Sequence, residues 1–430
     1  MWNKNAETLS VTKLRSQQTN SLKALVKQVY NVPFYKKKMD EMNVKPSDIK
    51  SIDDITKLPF TTKIDMRDVY PWGLCACDKD DIVEVHMSSG TTGAPIVDAY
   101  TLNDIEIWSE VMARTLSMGG VTKEDIVQNA YGYGLFTGGF GVHYGSRKIG
   151  CCTIPISGGN TQRQLQVMKD FGSTVLTCTP SYSLYLAEAG REMGIDFSKM
   201  PLKAGFFGAE AWSETMRVEI EAKLHLKAYD IYGLTEIIGP GVAAECECQK
   251  GLHVFEDHFY PEIIDPETGE VLPDGEKGEL VFTTLTKTGT PILRYRTRDI
   301  TYIFKEPCEC GRTHRRIHRL LGRTDDMLII RGVNIFPSQI ENVLLKQEGI
   351  EPHYLLIIDR VNNLDCLEVN VEMSDELGFD EVKVIEKIEQ TIEHALHNEL
   401  LIFAKVKLVE PKSIQRSEGK AKRIVDNRKI

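Results

Sequence analysis

The sequence predicts an α/β fold: a large N-terminal domain with mainly parallel sheet plus a small antiparallel β region, then a smaller α+β domain at the C-terminus. Three observations predict it. Short apolar runs at residues 151–156, 173–179 and 203–207 alternate with helical segments at 161–171, 182–193 and 213–224, the rhythm of a parallel sheet with crossover helices. After Gly241 the texture changes to strands joined by Asp/Pro/Gly turns, which favours antiparallel pairing. At Leu321-Gly-Arg-Thr-Asp-Asp-Met327 a glycine and clustered polar residues precede a new set of elements, as a domain boundary would.

Taken in order, residues 7–40 carry Leu9, Leu14, Leu22, Leu25, Val26, Val29 and Tyr30 at helical spacing, broken at Val32-Pro33. This predicts a pair of entry helices. Residues 51–67 mix capping residues with prolines and lead into a strand over 81–85. Next comes His86-Met-Ser-Ser-Gly-Thr-Thr-Gly-Ala-Pro95, followed by a second apolar strand over 96–100. In that loop Ser88, Ser89, Thr91 and Thr92 offer hydroxyl donors, while Gly90 and Gly93 let backbone N–H groups turn inward. Together they make a phosphate cradle; an ordinary Ser/Gly turn is the alternative. Ala94-Pro95 after Gly93 rules out the G-x-x-x-x-G-K-[ST] spacing of a Walker loop.

Residues 101–118 place Ile105, Trp108, Val111, Met112 and Leu116 on one helical face behind Thr101 or Asn103 as N-cap, a core-packing stripe. In Asn129-Ala-Tyr-Gly-Tyr-Gly-Leu-Phe-Thr-Gly-Gly139, aromatics alternate with glycines and follow neither structural period. Tyr131, Tyr133 and Phe136 would give π surfaces to a pocket wall, or the segment is a packed glycine-rich turn. Ligands of parallel sheets sit beyond the carboxyl ends of strands, so Gly208-Ala-Glu-Ala-Trp212 and Asp230-Ile-Tyr-Gly-Leu-Thr-Glu236 stand out. Tyr232 can stack on a nucleobase, Thr235 can bind phosphate and Glu236 can hold a divalent cation; each alone is also ordinary loop polarity.

Two antiparallel segments follow at 262–273 and 278–286, and Leu293-Arg-Tyr-Arg-Thr-Arg-Asp299 packs three arginines around a short strand. A solvated charge face is the plain reading of that cluster. Beyond the boundary come a strand at 328–330, a helix at 337–346, strands at 353–359 and 366–373, a long helix near 380–400 and a strand at 404–409. These make a compact α+β domain of about a hundred residues. The tail Ser417-Glu-Gly-Lys-Ala-Lys-Arg423 is basic and poorly suited to a core.

A chain of 430 residues with 27% charged and 42% hydrophobic residues is ordinary globular composition. The formal net charge of -10 argues against general affinity for nucleic acid or anionic membrane. The N-terminus lacks a signal-peptide apolar core and no run reaches membrane-spanning length, so a cytoplasmic protein with no membrane partner is expected. Ten cysteines in such a chain favour thiols and metal ligands over disulfides. Cys246, His253, Cys308 and Cys310 offer a closed Cys3His zinc site, with Cys248 competing for the place of Cys246. Such a site, lacking an open position, would be structural; free thiols at turns are the alternative.

The ordered motifs combine into a resemblance. Ser88-Ser-Gly-Thr-Thr-Gly93, Tyr131-Gly-Tyr-Gly-Leu-Phe-Thr-Gly-Gly139, Gly208-Ala-Glu210, Asp230-Ile-Tyr-Gly-Leu-Thr-Glu236, Tyr295-Arg-Thr-Arg-Asp299, Gly322-Arg-Thr-Asp-Asp326, Arg331-Gly-Val-Asn-Ile-Phe-Pro337 and Ser417-Glu-Gly-Lys420 resemble the adenylate-forming (acyl/aryl-CoA synthetase) superfamily along nearly the whole chain. Two departures stand out: Ala94 replaces a frequent lysine, and only part of the family carries the Cys/His group. The resemblance implies ATP-dependent ligation of phenylacetate or a similar aryl acid to coenzyme A through an acyl-adenylate, giving thioester, AMP and pyrophosphate. It implies an N-terminal domain over 1–322 and a mobile lid over 323–430.

By the same resemblance Ser88, Ser89, Gly90, Thr91, Thr92 and Gly93 would hold the β- and γ-phosphates, and Thr235 the α-phosphate. Glu236 would coordinate Mg2+. Gly208, Ala209, Glu210, Asp230, Tyr232 and Gly233 would line the adenine side, Asp299 would accept from the ribose hydroxyls and Arg323 would lie nearby. Tyr131, Tyr133, Phe136 and Gly138 would form the aryl pocket. Asp325 would be the hinge, and Lys420 would set its ammonium between acid and α-phosphate during adenylation. The family also admits a homodimer. The competing readings are a ligase for another carboxylic acid, a non-catalytic nucleotide-binding regulator, and a scaffold built on the zinc region.

Overall fold

In the computed structural model, which describes residues 1–88, 95–330, 333–361, 364–374 and 382–428, the chain divides into two compact units. Unit 1 comprises Met1–Cys178, Lys199–Ala209 and Leu226–Leu320; unit 2 comprises Thr179–Ser198, Glu210–His225 and Leu321–Ile430. Among the described residues no helix is long and apolar enough to cross a membrane.

Unit 1 begins with α1 (Lys4–Glu7) and the entry pair α2 (Val11–Val29) and α3 (Pro33–Glu41). The Ser10 hydroxyl caps α2, and Pro33 occupies the first turn of α3, where its missing N–H costs nothing. Leu22, Leu25, Val26 and Val29 drive α2 into the core. The capping box of Thr62 and Asp65 starts α4 (Lys63–Asp68). Strands β1 (Ile82–Met87) and β2 (Val97–Thr101) pair antiparallel, with His86 opposite Asp98. Thr101 caps α5 (Leu102–Met118), and its stripe faces inward as its spacing predicts.

The main sheet holds β3 (Ile126–Asn129), β4 (Cys152–Ile154), β5 (Val175–Cys178), β6 (Ala204–Gly208), β7 (Lys227–Leu234), β8 (Gly239–Glu245), β9 (Leu252–Val254) and β13 (Arg316–Ile317). Their order is β13-β9-β8-β7-β6-β5-β3-β4. Pairing is parallel from β4 through β7 and antiparallel from β7 to β13. All residues of β5 and β6 are buried, which is why those runs read as continuously apolar. Helices α6 (Thr137–Ile149) and α7 (Thr161–Phe171) follow β3 and β4. A Cβ at Gly145 of α6 would lie 2.5 Å from Met112 Cβ of α5, so this glycine sets how closely the two helices approach. The antiparallel strands β10 (Phe259–Ile264), β11 (Gly278–Thr284) and β12 (Tyr295–Thr301) pair in sequence order.

Unit 2 contains α8 (Pro180–Glu192) and α9 (Glu214–Leu224), then β14 (Gly322–Arg323) and the hairpin β15 (Leu328–Ile330) with β16 (Val333–Ile335). Next come α10 (Pro337–Leu344), β17 (Ile350–Val361), β18 (Leu364–Met373), α11 (Val382–Leu400), β19 (Ala404–Val409) and β20 (Ile424–Asp426). The strands order as β19-β18-β17-β20. Leu356, Ile358, Val369 and Val371 from the central pair pack with Ile392 and Leu396 of α11 in its core.

Candidate functional site

The turn at the end of β7 collects groups suited to a nucleotide and its cation. The Tyr232 hydroxyl donates to Asp299 Oδ2 at 2.6 Å, joining β7 to β12. Both residues are buried, so Asp299 is a carboxylate fixed in place, not part of a solvated charge face. Arg294 corrects that plain reading too: it is buried and bonds Glu262 at 2.9 and 3.1 Å. Buried Glu236 accepts from the Tyr295 hydroxyl at 3.2 Å and faces Lys63 Nζ at 3.7 Å. Its Oε1 thus already attracts one cation, and a carboxylate so placed fits a hard divalent ion. Thr235 lies 3.5 Å from Thr137, hydroxyl to hydroxyl. Asp230 is tied into the sheet: its backbone N–H bonds Glu245 at 2.8 Å and its carboxylate pairs with Arg319 at 3.7 Å.

Backbone proximity explains the glycines. A Cβ on Gly208 would lie 2.3 Å from the Ile231 carbonyl, and one on Gly233 would lie 2.0 Å from that of Gly239. Only glycine lets β6, β7 and the following turn approach so closely. Ala209 continues from Gly208 at a φ of 70°.

Of the predicted phosphate loop, Ser88 is described; Ser89, Gly90, Thr91, Thr92 and Gly93 lie outside the described residues. Ser88 closes the loop base. Its N–H donates to the Ile96 carbonyl at 3.0 Å, and its hydroxyl accepts from Ile96 N at 3.0 Å. The strand before it is stapled to the aromatic segment through the Leu135 carbonyl, which accepts from Met87 N at 2.8 Å and His86 Nδ1 at 3.2 Å. His86 Nε2 meets Glu84 Oε1 at 2.6 Å, and the Tyr144 hydroxyl donates to the other oxygen of Glu84. Burial opposes ionisation of Glu84, yet these bonds from His86 and Tyr144 hold its pKa below the usual carboxylate value. Sequence reasoning missed this network; only the alternation Glu84-x-His86 placed both side chains on one face.

The aromatic segment is organised by buried Asn129, whose amide donates to the Tyr133 hydroxyl and the Gly139 carbonyl, each at 2.8 Å. Its oxygen accepts from Thr177 at 3.0 Å. Tyr131 and Gly138 are buried, while Tyr133 and Phe136 are half-buried. The Tyr133 hydroxyl lies 3.2 Å from His143 Nδ1, and burial raises its pKa to about 12.

The Cys/His donors converge. Cys246, His253, Cys308 and Cys310 present ligand atoms all within 4.8 Å of one another. Cys246 Sγ and Cys308 Sγ are 3.7 Å apart, and Cys310 Sγ is 3.4 Å from His253 Nε2. A tetrahedron with metal–sulfur bonds of about 2.3 Å has sulfur–sulfur edges of about 3.8 Å, so the spacing fits zinc. His253 Nδ1 donates to the His314 carbonyl at 3.0 Å, which directs Nε2 at the sulfurs. The geometry selects Cys246 over the half-buried Cys248.

In unit 2, Arg323 pairs with exposed Asp325 at 2.9 Å. Glu210 is engaged by backbone: it accepts from Ser181 N at 2.7 Å and from Ala421 N at 3.1 Å, just after exposed Lys420.

Residues 7–286 match the model of the AMP-binding enzyme family, and residues 332–428 match that of the AMP-binding enzyme C-terminal domain. The chain is 48% identical over 426 residues to a phenylacetate-coenzyme A ligase of Aromatoleum evansii, covering 98% of this chain and 96% of the relative. It is 47% identical over 428 residues to that of Escherichia coli (strain K12), covering 99% and 97%. Among solved structures, 2-hydroxyisobutyryl-CoA ligase with 2-HIB-AMP in the postadenylation state aligns with a TM-score of 0.94 at 28% identity, over 99% of this chain and 92% of that one.

Proposed function

The chain belongs to the AMP-binding enzyme family, among its phenylacetate-coenzyme A ligases, and on that premise we propose that phenylacetate or a similar aryl acid is its substrate. The reaction class is that of an AMP-forming acid–CoA ligase. ATP and a carboxylate give an acyl-adenylate and pyrophosphate, and the coenzyme A thiol then displaces AMP to give the thioester.

The observation that carries the residue assignments is the clustering of fixed carboxylates at the end of β7. In this reading Asp299, oriented by Tyr232, accepts from the ribose hydroxyls, while Gly208, Ala209 and Gly233 let adenine lie against backbone. Ser88 anchors the loop that receives the β- and γ-phosphates. Glu236 would hold Mg2+, which when bound neutralises phosphate charge. Both reacting groups are anionic, so positioning and charge neutralisation lower the barrier. Tyr131, Tyr133, Phe136 and Gly138 hold the aryl group. Lys420, in a lid over 323–430 with Asp325 as hinge, supplies an ammonium between carboxylate and α-phosphate. Cys246, His253, Cys308 and Cys310 would bind zinc as a structural clip. The reading includes a cytoplasmic location and a homodimer, which light scattering tests.

The deciding assay is pyrophosphate release with ATP, Mg2+ and phenylacetate, with and without coenzyme A, beside benzoate, indoleacetate and a fatty acid. Phenylacetate-selective release with thioester formation is expected. Turnover only with the fatty acid would refute the aryl substrate, and turnover only with benzoate or indoleacetate would replace phenylacetate by that acid.

A further inference from the structure

Within unit 2, the segment carrying Lys420 is gripped on both sides by arginines. On the near side, Arg416 bridges two carboxylates. It donates to both oxygens of Glu188 on α8, each at 2.8 Å, and to both oxygens of Glu372 on β18, at 2.7 and 2.8 Å. Glu372 is fully buried and also accepts from Lys412 N at 3.0 Å and Ile414 N at 2.8 Å, so it folds the turn that delivers Arg416. On the far side, Arg423 pairs with buried Glu341 and donates to Tyr354 at 3.1 Å and to Ser181 Oγ at 3.0 Å. Between them the Thr179 hydroxyl donates to the Gly419 carbonyl at 2.9 Å, and Glu210 takes the Ala421 N–H. Backbone at 419 and 421 is therefore tied to the start of α8, and none of these bonds uses the Lys420 side chain.

We propose that Arg416, held between Glu188 and Glu372, is a positioning residue for adenylation: it latches the loop so that Lys420 is presented from ordered backbone. The inference rests on the assignment of Lys420 to the adenylation step. A lysine on a free tail must surrender backbone and side-chain freedom in the adenylation step; while Arg416 rests on Glu188 the loop has already lost the backbone part. Thioester formation does not use Lys420 in this reading, so the latch contributes to one half-reaction only.

The test is Glu188→Gln in the full chain, which keeps shape and removes one charge from the latch. Pyrophosphate release from ATP and phenylacetate falls by roughly tenfold, the effect of weakening a charge-assisted pair. Thioester formation from supplied phenylacetyl-adenylate and coenzyme A is unchanged, as is the thermal midpoint. Arg416→Lys, which keeps the charge but loses the fork, shows the same split. Equal loss of both half-reactions, loss that follows a lowered midpoint, or no loss in either variant overturns the latch. Lys420→Ala run in parallel separates the two layers. If it abolishes adenylation alone while Glu188→Gln shows no split, only the latch falls; if it impairs both steps equally, the assignment of Lys420 falls and takes the latch with it.

Discussion

Replacing Lys287 by Met tests what holds the β1–β2 hairpin against the body of unit 1. The Lys287 ammonium is buried with Asp98 of β2, bonding both carboxylate oxygens at 2.5 Å and the Ile237 carbonyl, next to Glu236, at 2.8 Å. It also sits 4.7 Å from the Tyr100 ring centroid. Met nearly conserves volume, so the cavity term is small, and the loss is that of stranding Asp98. Breaking a buried pair from one side costs about 3–5 kcal/mol. Protonation sets a ceiling: at pH 7 neutralising a carboxyl of pKa near 3.9 costs about 4 kcal/mol, at roughly 1.4 per pH unit. Burial pushes Asp98 upward and Lys287 opposes that push, so without Lys287 the variant takes that route. We expect a loss of about 4 kcal/mol at pH 7, or about 10 °C in thermal midpoint. In the variant the folded-state pKa of Asp98 lies above the unfolded value, so the deficit shrinks as pH falls and is about 2 kcal/mol near pH 5.5. Asp98→Asn in the same background recovers most of it. Scanning calorimetry at the two pH values decides; a deficit below about 1 kcal/mol, one independent of pH, or no recovery by Asn refutes the reasoning.

Other outcomes follow from the same geometry. Metal analysis should find about one zinc per chain, lost in Cys308→Ser, with a lower thermal midpoint and an unchanged KM for ATP; a fully stable protein free of zinc would count against the site. Asp299→Asn should raise the KM for ATP by roughly 10- to 100-fold while the KM for the acid stays put, as losing charge-assisted bonds to ribose requires; an unmoved ATP KM would remove Asp299 from the nucleotide site. Burial, with Arg416 nearby, lowers His353 to about 4, below its unfolded value of about 6.5, while Glu188, Glu372 and Lys223 also face it. Its neutral form therefore supports full stability above about pH 6.5, and up to about 3 kcal/mol is lost as pH falls toward 4. Denaturant titrations across that window should show the slope, and His353→Gln should flatten it.

Much of the architecture was legible because periodicity reports burial. The runs at 151–156, 173–179 and 203–207 became β4, β5 and β6, parallel neighbours of β3 and β7. Pro33 marked the start of α3, and of the two N-cap candidates, Thr101 and Asn103, Thr101 caps α5, since capping is local chemistry. The continuation of the main sheet through β8, β9 and β13 was not foreseen, because β9 and β13 are too short to show a period and β13 reaches β9 from far along the chain. The same distance hid the paired groups. Asp98 with Lys287, and Arg416 with Glu188, look like solvated charges until the fold buries them. Cys246 and Cys248 could not be separated by spacing, whereas donor geometry separates them at once.

The path of the chain between its units fixes an order of events during synthesis. It leaves unit 1 after Cys178 and Ala209, returns at Lys199 and Leu226, and departs finally after Leu320. The ribosome therefore delivers Glu188 and Glu210 long before Arg416, Ala421 and Arg423, the groups that bond Glu188, Glu210 and Ser181. Domains otherwise tend to fold from the N-terminus as they emerge. Here residues made late in unit 2 bond its earlier parts, so a chain cut short before Arg416 lacks the contacts that close the unit.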